Sequence, residues 1–197
     1  MTASPPVDDG RSPRERMEAG DLYQADDPEL TEAALRAERL SKAFNRTGAE
    51  ERDKRRRLLE DLLGAFGADS VIRPPFRCDY GRYVQIGTRS FANFGLVALD
   101  CAPITIGDDV QIGPNVQLLT PTHPIDPGLR RAGWEAAQPI TIGDDVWLGG
   151  GVIVLPGVTV GSDTVVGAGA VVSRDLPAGV VAVGNPVRVV RSVTDGG

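Results

Sequence analysis

The chain has 197 residues and a formal net charge of −6 at pH 7, and it contains 24 Gly, 15 Pro, two Cys and one His. With this inventory a single chain cannot supply a three-histidine zinc site, a zinc finger or a four-cysteine cluster. The acidic balance argues against a nucleic-acid-binding protein, because neutralising phosphates requires a basic face.

The length is typical of one compact domain with a modest appendage. The two cysteines, Cys78 and Cys101, could in principle pair, but we interpret them as free, reduced thiols. The N-terminal residues lack the apolar stretch of a signal peptide, and no run of about 18 apolar residues occurs. We therefore expect a soluble cytoplasmic protein that binds neither membranes nor nucleic acid.

The first part of the chain is rich in charge and predicts helices. Residues 1–12 are expected to be a disordered tail, because they are rich in Pro, Ser and Asp and have little to bury. Residues 13–70 are expected to form a short helical hairpin. Its first helix begins at Asp27-Pro28-Glu29, which supplies an N-cap, a proline at the first helical position and an acid in the first turn. The apolar stripe of this helix contains Leu30, Ala34, Ala37, Leu40, Ala43 and Phe44.

The first helix is expected to end at a C-cap at Gly48. A second helix is predicted from about Ala49 to Phe66, ending at Gly67. The side chains that it should bury are Leu58, Leu59, Leu62, Leu63 and Phe66.

From residue 71 the composition changes to Gly and Val with few charges, and an aliphatic residue recurs every six positions. The longest unbroken series consists of Ile142, Leu148, Val154, Val160, Val166 and Val172. In most of these hexads a second small or branched residue follows four positions later. An earlier run in the same phase begins at Ile106, and a third, at Ile86, is displaced by two residues.

A six-residue period fits neither an α-helix nor a simple strand meander. It is typical of a triangular prism in which each side is a short strand and the chain turns a corner every hexad. We therefore expect a mainly β protein with a parallel β-helix over residues 71–190. Residues 121–138 interrupt the repeat, and residues 191–197 are expected to be a tail.

The interruption at residues 121–138 carries the one histidine of the chain, His123, among turn-forming prolines. A loop that leaves a regular solenoid is either a tolerated insertion or a functional part. The residue pattern alone leaves His123 open as a solvated loop residue or as a catalytic group.

Several segments occur together, in one order, over residues 15–190. They are Ala19-Gly20-Asp21-Leu22-Tyr23, Phe76-Arg77-Cys78-Asp79-Tyr80-Gly81, Phe91-Ala92-Asn93-Phe94, Thr122-His123-Pro124-Ile125-Asp126-Pro127 and Gly184-Asn185-Pro186. As a set they resemble the maltose/galactoside O-acetyltransferase family of hexapeptide-repeat acyltransferases. The resemblance implies a left-handed parallel β-helix preceded by a short α-helical hairpin. The left hand comes from the resemblance, because the spacing does not determine it.

The resemblance also implies direct transfer of acetyl from acetyl-CoA to a sugar hydroxyl of a maltose- or glucose-type acceptor. His123 matches the general base, a role that suits an imidazole because much of it is neutral at pH 7. Asn93 matches the asparagine that meets the acceptor and the reacting centre. Asp79 and Glu135 match residues that contact the acceptor or orient the histidine, and Asp100 is a further acceptor-binding candidate.

The same residue-by-residue match implies where acetyl-CoA binds as a co-substrate, with no metal required. The matching residues are Gly150, Ala168, Ser173, Arg174, Arg188 and Arg191. Family members are trimers with active sites between neighbouring prisms, so the resemblance implies a homotrimer. Ala25 and Ala34 stand where some galactoside-type members carry Asp and Arg for the sugar, which argues against galactoside specificity.

Other classes remain open. Acetyltransferases that act on xenobiotics, oligosaccharides or serine share the β-helix, and the repeats alone are equally compatible with a non-catalytic binding module. The γ-class carbonic anhydrases share the fold but need three histidines at each site, which even a trimer of this chain does not supply.

Overall fold

A computed structural model describes residues 9–195, which form a parallel β-helix with a helical segment at its N-terminal end. The disorder predicted for residues 1–12 concerns mainly residues 1–8, which lie outside the described residues. Residues 196 and 197 of the predicted tail lie outside them as well. No helix within residues 9–195 combines the length and the apolar character needed to cross a bilayer.

The helices of the described range are α1 (Pro13–Glu18), α2 (Pro28–Asn45), α3 (Arg52–Leu62) and α4 (Pro127–Arg131). Asp27 caps α2 as predicted, because its Oδ1 accepts the backbone N–H groups of Glu29 and Leu30. The helix ends at Asn45, before Gly48. The Asn45 side chain exchanges two 2.8 Å hydrogen bonds with the main chain of Phe76, which fixes the helix end to the β-helix.

The strands are short, as expected where the chain turns a corner at every hexad. In chain order they are β1 (Tyr23–Gln24), β2 (Ala65–Phe66), β3 (Val71–Ile72), β4 (Phe76–Cys78), β5 (Val84–Ile86), β6 (Phe91–Ala92), β7 (Leu96–Leu99), β8 (Ile104–Ile106), β9 (Gln111–Ile112), β10 (Gln117–Leu119), β11 (Pro121–Thr122), β12 (Trp134–Ala137), β13 (Ile140–Ile142), β14 (Trp147–Leu148), β15 (Ile153–Val154), β16 (Thr159–Val160), β17 (Val165–Val166), β18 (Val171–Val172), β19 (Val180–Val183) and β20 (Arg188–Ser192).

Three sheets make the three faces of the prism. The first face is β2-β5-β8-β13-β16, the second is β3-β6-β9-β14-β17-β19-β20, and the third is β4-β7-β10-β15-β18. All neighbours within the faces are parallel except β19 and β20. Phe91 pairs with Gln111 twenty residues on, whereas Trp147 pairs with Val165 eighteen residues on. The change from twenty to eighteen residues per coil explains the two-residue displacement at Ile86.

The repeated aliphatic side chains fill the interior of the prism, and the predicted hexad phase is confirmed. All six members of the longest series are at most 1 % exposed, namely Ile142, Leu148, Val154, Val160, Val166 and Val172. Burying an aliphatic side chain of this size contributes roughly 1.5–3 kcal/mol. The interior column is therefore a major source of the fold's stability.

The second helix is shorter than predicted. It ends at Leu62, and Ala65 and Phe66 form the first strand of the β-helix, opposite Gln85 and Ile86. The physical reason lies at Gly64, where an added Cβ would come within 2.3 Å of the Arg82 carbonyl oxygen. The chain already runs against the next coil at this point, so inter-coil hydrogen bonds replace helical ones.

The C-terminal end also differs from the predicted tail. Arg188–Ser192 folds back as β20 and pairs antiparallel with β19, with Arg191 opposite Val181. Residues 191 and 192 therefore cover the last edge of the second face, which leaves fewer unpaired backbone groups there.

The requirement for glycine at the corners can be tested by a substitution at Gly161. A Cβ at this residue would lie 2.5 Å from the Ala178 nitrogen and 2.8 Å from the Pro177 carbonyl carbon, both of the next coil. We expect Gly161→Ala to lower the free energy of unfolding by about 1–3 kcal/mol, measured by urea or thermal unfolding. In the control Gly48→Ala, the added Cβ would meet side-chain atoms at an ordinary 3.7 Å. Equal unfolding midpoints for the two variants would contradict this account.

Candidate functional site

The loop at residues 121–138 is ordered by pairing with the N-terminal segment. Its strands β11 and β12 form an antiparallel pair, and the other edge of β12 pairs with β1, where Tyr23 lies opposite Glu135. Between them, α4 begins at Asp126, whose carboxylate accepts the N–H groups of Gly128 and Leu129. The helical segment therefore holds the loop as well as capping the β-helix.

A cleft of about 500 Å³ opens between α2 and this loop. A cleft of this size is sufficient for a small-molecule ligand. Three of the predicted site residues line it together, namely Asp79, His123 and Glu135. Ala25 and Ala34 also line the cleft, and so does Glu38 of α2, which carries a charge.

His123 and Glu135 face each other at the mouth of the cleft. The Nδ1 atom of His123 lies 3.9 Å from Oε2 of Glu135, which is longer than an N–H···O hydrogen bond. The histidine side chain is 59 % exposed and the glutamate side chain 17 %. A ligand can therefore reach the imidazole of His123, whereas the carboxylate of Glu135 is largely shielded from solvent.

Asp79 brings a second carboxyl group to the cleft. Burial raises its pKa; a hydrogen bond from the Cys101 thiol, at 3.4 Å, opposes the rise, and the Glu135 charge adds to it. Both Cys78 and Cys101 are free, and burial raises the pKa of each thiol. Cys101 therefore acts here as a protonated hydrogen-bond donor.

Asp100 does not face the cleft, which contradicts its expected contact with an acceptor. Its side chain is fully buried, its Oδ1 accepts the N–H groups of Asp79 and Tyr80, and its Oδ2 accepts that of Tyr83. Burial raises the pKa of Asp100 to about 6, although these backbone donors oppose the rise. Asp100 organises the turn that presents Asp79.

Asn93 lies at another corner of the prism. It follows β6 at the corner between the second and third faces, whereas the His123 loop follows β10 at the corner between the third and first faces. Its Oδ1 accepts the N–H of Phe94, and its NH₂ group donates no hydrogen bond within residues 9–195. One chain therefore does not bring Asn93 and His123 together.

Gly150 and Ala168 lie on the same corner as Asn93, two and three coils further along. Stacking is maintained by hydrogen bonds from Gly151 to Pro114 and from Gly169 to Gly150. Among the described residues, the backbone N–H groups of Gly150 and Ala168 find no acceptor. This corner therefore offers two aligned donors to a ligand.

The remaining predicted residues lie beyond these donors. Ser173 and Arg174 follow β18, while Arg188 and Arg191 belong to β20. The guanidinium groups of Arg174 and Arg188 both donate to the Val187 carbonyl oxygen, at 3.2 and 2.9 Å. No carboxylate of the described range pairs with Arg174, Arg188 or Arg191, so their charges are available to an anion.

Tyr23, Tyr80 and Cys101 surround Asp79 and Glu135, and none of the three is among the site residues predicted from the sequence. Tyr23 is the one aromatic residue among the first 43, and this rarity could have identified it as a candidate site residue. Tyr80 and Cys101 belong to turns that no periodicity marks. Within residues 9–195, no three His, Cys, Asp or Glu side chains are grouped so as to hold a metal ion.

Two family models match the chain. The maltose acetyltransferase hexapeptide capping motif matches residues 16–67, and the bacterial transferase hexapeptide model, with six repeats, matches residues 139–174. Nodulation protein L of Rhizobium meliloti (strain 1021) is 47 % identical over 179 residues, which cover 91 % of this chain and 98 % of that protein.

Solved structures agree with the fold. A maltose O-acetyltransferase from Clostridium difficile 630 superposes with a TM-score of 0.92 at 42 % identity, covering 93 % of this chain and 98 % of that one. A galactoside acetyltransferase in complex with coenzyme A gives a TM-score of 0.91 at 39 % identity, with 94 % and 93 % covered. The predicted left-handed parallel β-helix is thereby confirmed.

Asp100 and Asp79 are a matched pair for testing the structural role of the buried carboxylate. In Asp100→Asn an amide NH₂ would face a backbone N–H, and leaving a buried donor unpaired costs about 1–3 kcal/mol. We expect that loss in the free energy of unfolding, measured by urea unfolding, and a smaller loss for Asp79→Asn, whose side chain faces the cleft.

The pH dependence of stability provides a second readout. Because the pKa of Asp100 is higher in the folded than in the unfolded chain, the folded chain binds the proton more tightly. Its contribution to stability should therefore be largest below about pH 4 and decline as the pH rises to about 6. Asp100→Asn should lack this contribution, and an unchanged slope between pH 4 and 6 would contradict it.

Proposed function

The chain belongs to the maltose/galactoside O-acetyltransferase family of hexapeptide-repeat acyltransferases, and we propose on this basis that it transfers acetyl from acetyl-CoA to a sugar hydroxyl. The observation that carries the proposal is the convergence of Asp79, His123 and Glu135 in one cleft, with aligned backbone donors on the other edge of the third face. A non-catalytic module would not require an accessible imidazole beside a shielded carboxylate.

His123 acts as the general base in this proposal. It accepts the proton of the acceptor hydroxyl while that oxygen bonds to the carbonyl carbon of the thioester. The tetrahedral intermediate then collapses, the C–S bond breaks, and the imidazolium returns the proton to the departing thiolate. Cys101 is buried and Cys78 is half-buried, and burial raises the pKa of both thiols, which favours this direct transfer over an acyl-enzyme.

Glu135 and Asp79 have different proposed roles. Glu135 lies on the Nδ1 side of His123 and orients the ring, so that Nε2 faces the acceptor. Asp79 lines the same cleft and accepts a hydrogen bond from a sugar hydroxyl. Asp100 supports Asp79 through the backbone and makes no acceptor contact.

The acceptor is proposed to be a maltose- or glucose-type sugar, because Ala25 and Ala34 line the cleft where some galactoside-type relatives carry Asp and Arg. Glu38 is the one charged residue that α2 contributes to the lining of the cleft. An oligosaccharide acceptor is the second candidate, and xenobiotics and serine are further ones. A screen of glucose, maltose, galactosides, amino sugars and serine with acetyl-CoA, monitored by released thiol, distinguishes them. No turnover with any of these acceptors would favour the binding module.

Acetyl-CoA is proposed to bind along the corner that carries Gly150 and Ala168. Their free N–H groups can donate to the thioester and pantetheine carbonyls, and a donor at the thioester would stabilise the developing oxyanion. Ser173 follows β18 at the other edge of the third face, and its proposed role rests on the family resemblance. The guanidinium groups of Arg174, Arg188 and Arg191 pair with no carboxylate of residues 9–195, and they suit the phosphates of the coenzyme.

The protein is proposed to be a homotrimer, because Asn93 and His123 occupy opposite corners of one face. A second prism packed beside that face would bring its Asn93 corner to the His123 corner of the first. The Asn93 NH₂ group, which has no partner within residues 9–195, would then donate to the acceptor or the reacting centre. Cyclic packing of three prisms would give three equivalent sites.

His123→Ala should lower kcat by about 10²–10⁴-fold, the range typical of a positioned general base. The dissociation constant for acetyl-CoA should stay nearly unchanged, because the proposed coenzyme residues lie elsewhere. Ile125→Ala, a change at a 96 % exposed residue of the same loop, is the matched control and should keep full turnover. Wild-type kcat in His123→Ala would rule out the base.

Mixing two inactive variants tests the shared site. If the residues of one site come from neighbouring subunits, co-expressed His123→Ala and Asn93→Ala chains should recover about a quarter of wild-type activity, because random trimers contain that share of intact pairs. Light scattering should give about three times the chain mass of 20.8 kDa. A monomeric mass, or no recovery from verified mixed trimers, would contradict the arrangement.

A further inference from the structure

The hydroxyl group of Tyr23 is buried without a hydrogen-bond partner. The residue is 0 % exposed, and among the described residues its oxygen is the one buried side-chain nitrogen or oxygen atom that lacks a partner. A buried donor that makes no hydrogen bond carries a desolvation penalty, so such groups are rare and call for a physical reason. Phenylalanine would fill the same space without that penalty.

Two acceptors stand close to this hydroxyl. Tyr23 in β1 lies directly opposite Glu135 in β12, and directly opposed residues of an antiparallel pair have neighbouring side chains. The Cys101 thiol and the Glu135 carboxylate are near enough to raise the pKa of the Tyr23 hydroxyl, although neither makes a hydrogen bond with it in this structure. The carboxylate is the stronger acceptor, because a hydrogen bond to an ionised group is roughly twice as strong as one between neutral groups.

Tyr23 keeps its proton over the whole working range. Burial raises the pKa of its phenol, and the neighbouring Cys101 and Glu135 add to the increase. Because the Tyr23 phenol is neutral and its ring is held in a packed cluster, its O–H group is a hydrogen-bond donor at a fixed position. Met17 and Leu30 belong to the same buried cluster and hold the ring in place.

We propose that Tyr23 is a positioning residue, whose hydroxyl donates a hydrogen bond to Glu135 and holds that carboxylate toward His123; this inference rests on the proposed function. Glu135 is 3.9 Å from the His123 Nδ1 atom, so a modest rotation decides whether the two form a hydrogen bond. A donor behind the carboxylate restricts that rotation. The N-terminal segment thereby acts on the base through the pairing of β1 with β12.

The titratable groups around Glu135 determine how the pH profile should respond. They are Tyr23 from β1, His123 from the loop, Asp79 and Tyr80 from the turn after β4, and Cys101 from the turn after β7. Losing the Tyr23 donor removes a group that stabilises the charged form of Glu135, so the arrangement with an ionised Glu135 beside the base requires a higher pH. The acidic limb of kcat should therefore move to higher pH.

The test is Tyr23→Phe in the full-length protein, with Tyr83→Phe as the matched control. Tyr83 belongs to the same region, but its hydroxyl donates to Glu18, 2.6 Å away, rather than to a group of the cleft. Tyr23→Phe should lower kcat about tenfold, shift the acidic limb to higher pH and leave the KM of acetyl-CoA within about twofold. Tyr83→Phe should keep the wild-type kcat and profile. Thermal unfolding verifies that both variants fold.

A double-mutant cycle identifies the route of the effect. If Tyr23 acts through Glu135, Tyr23→Phe should lower kcat no further in a Glu135→Ala background. Independent multiplication of the two losses would overturn the proposal. So would a raised unfolding midpoint with unchanged kcat and pH profile in Tyr23→Phe, since that result would identify an unpartnered hydroxyl.

The same measurements separate this inference from the proposed function. If wild-type protein transfers acetyl and His123→Ala does not, while Tyr23→Phe equals wild type, the Tyr23 inference alone fails. If wild-type protein transfers no acetyl to any acceptor of the screen, or His123→Ala keeps the wild-type rate, the proposed function fails and this inference fails with it.

Discussion

The structure depends on one constraint, which is that every coil must lie within hydrogen-bonding distance of the next along its whole perimeter. Strands paired at about 4.8 Å leave no room for a Cβ where the backbone turns a corner against its neighbour. At Gly149 and Gly161 an added Cβ would come within 2.5 Å of a backbone nitrogen of the next coil. Glycine at the corners and aliphatic residues inside are two results of the same spacing.

This stacking also arranges the functional groups. Successive coils repeat each corner, so Asn93, Gly150 and Ala168 line up on one corner of the third face although they are far apart in the chain. The other corner of that face carries Asp79 and the loop with His123. The residues proposed to recognise the two substrates thus lie at two edges of one sheet.

The repeat could be predicted from the sequence because every hexad buries an aliphatic side chain at the same position. Few architectures besides a triangular prism repeat every six residues. The clustering of Asp79, His123 and Glu135 was available only through family resemblance, because no period relates a loop to a turn. Two expectations failed for local reasons. Phe66 continues a helical spacing yet pairs as a strand, and Asp100, although polar and adjacent to Cys101, is used entirely by backbone donors.

The loop leaves the pairing of the coils undisturbed. Ile104 pairs with Ile140 and Gln111 with Trp147, thirty-six residues apart, so the strands before and after the insertion stack as if it were absent. The loop is therefore an insertion that leaves the stacking of the coils unchanged. Replacing it with another loop requires no coil to rotate or slide. Selection can therefore change the loop, which is proposed to recognise the acceptor, while the coils proposed to hold the coenzyme stay as they are, so the loop is a separable unit of evolutionary change.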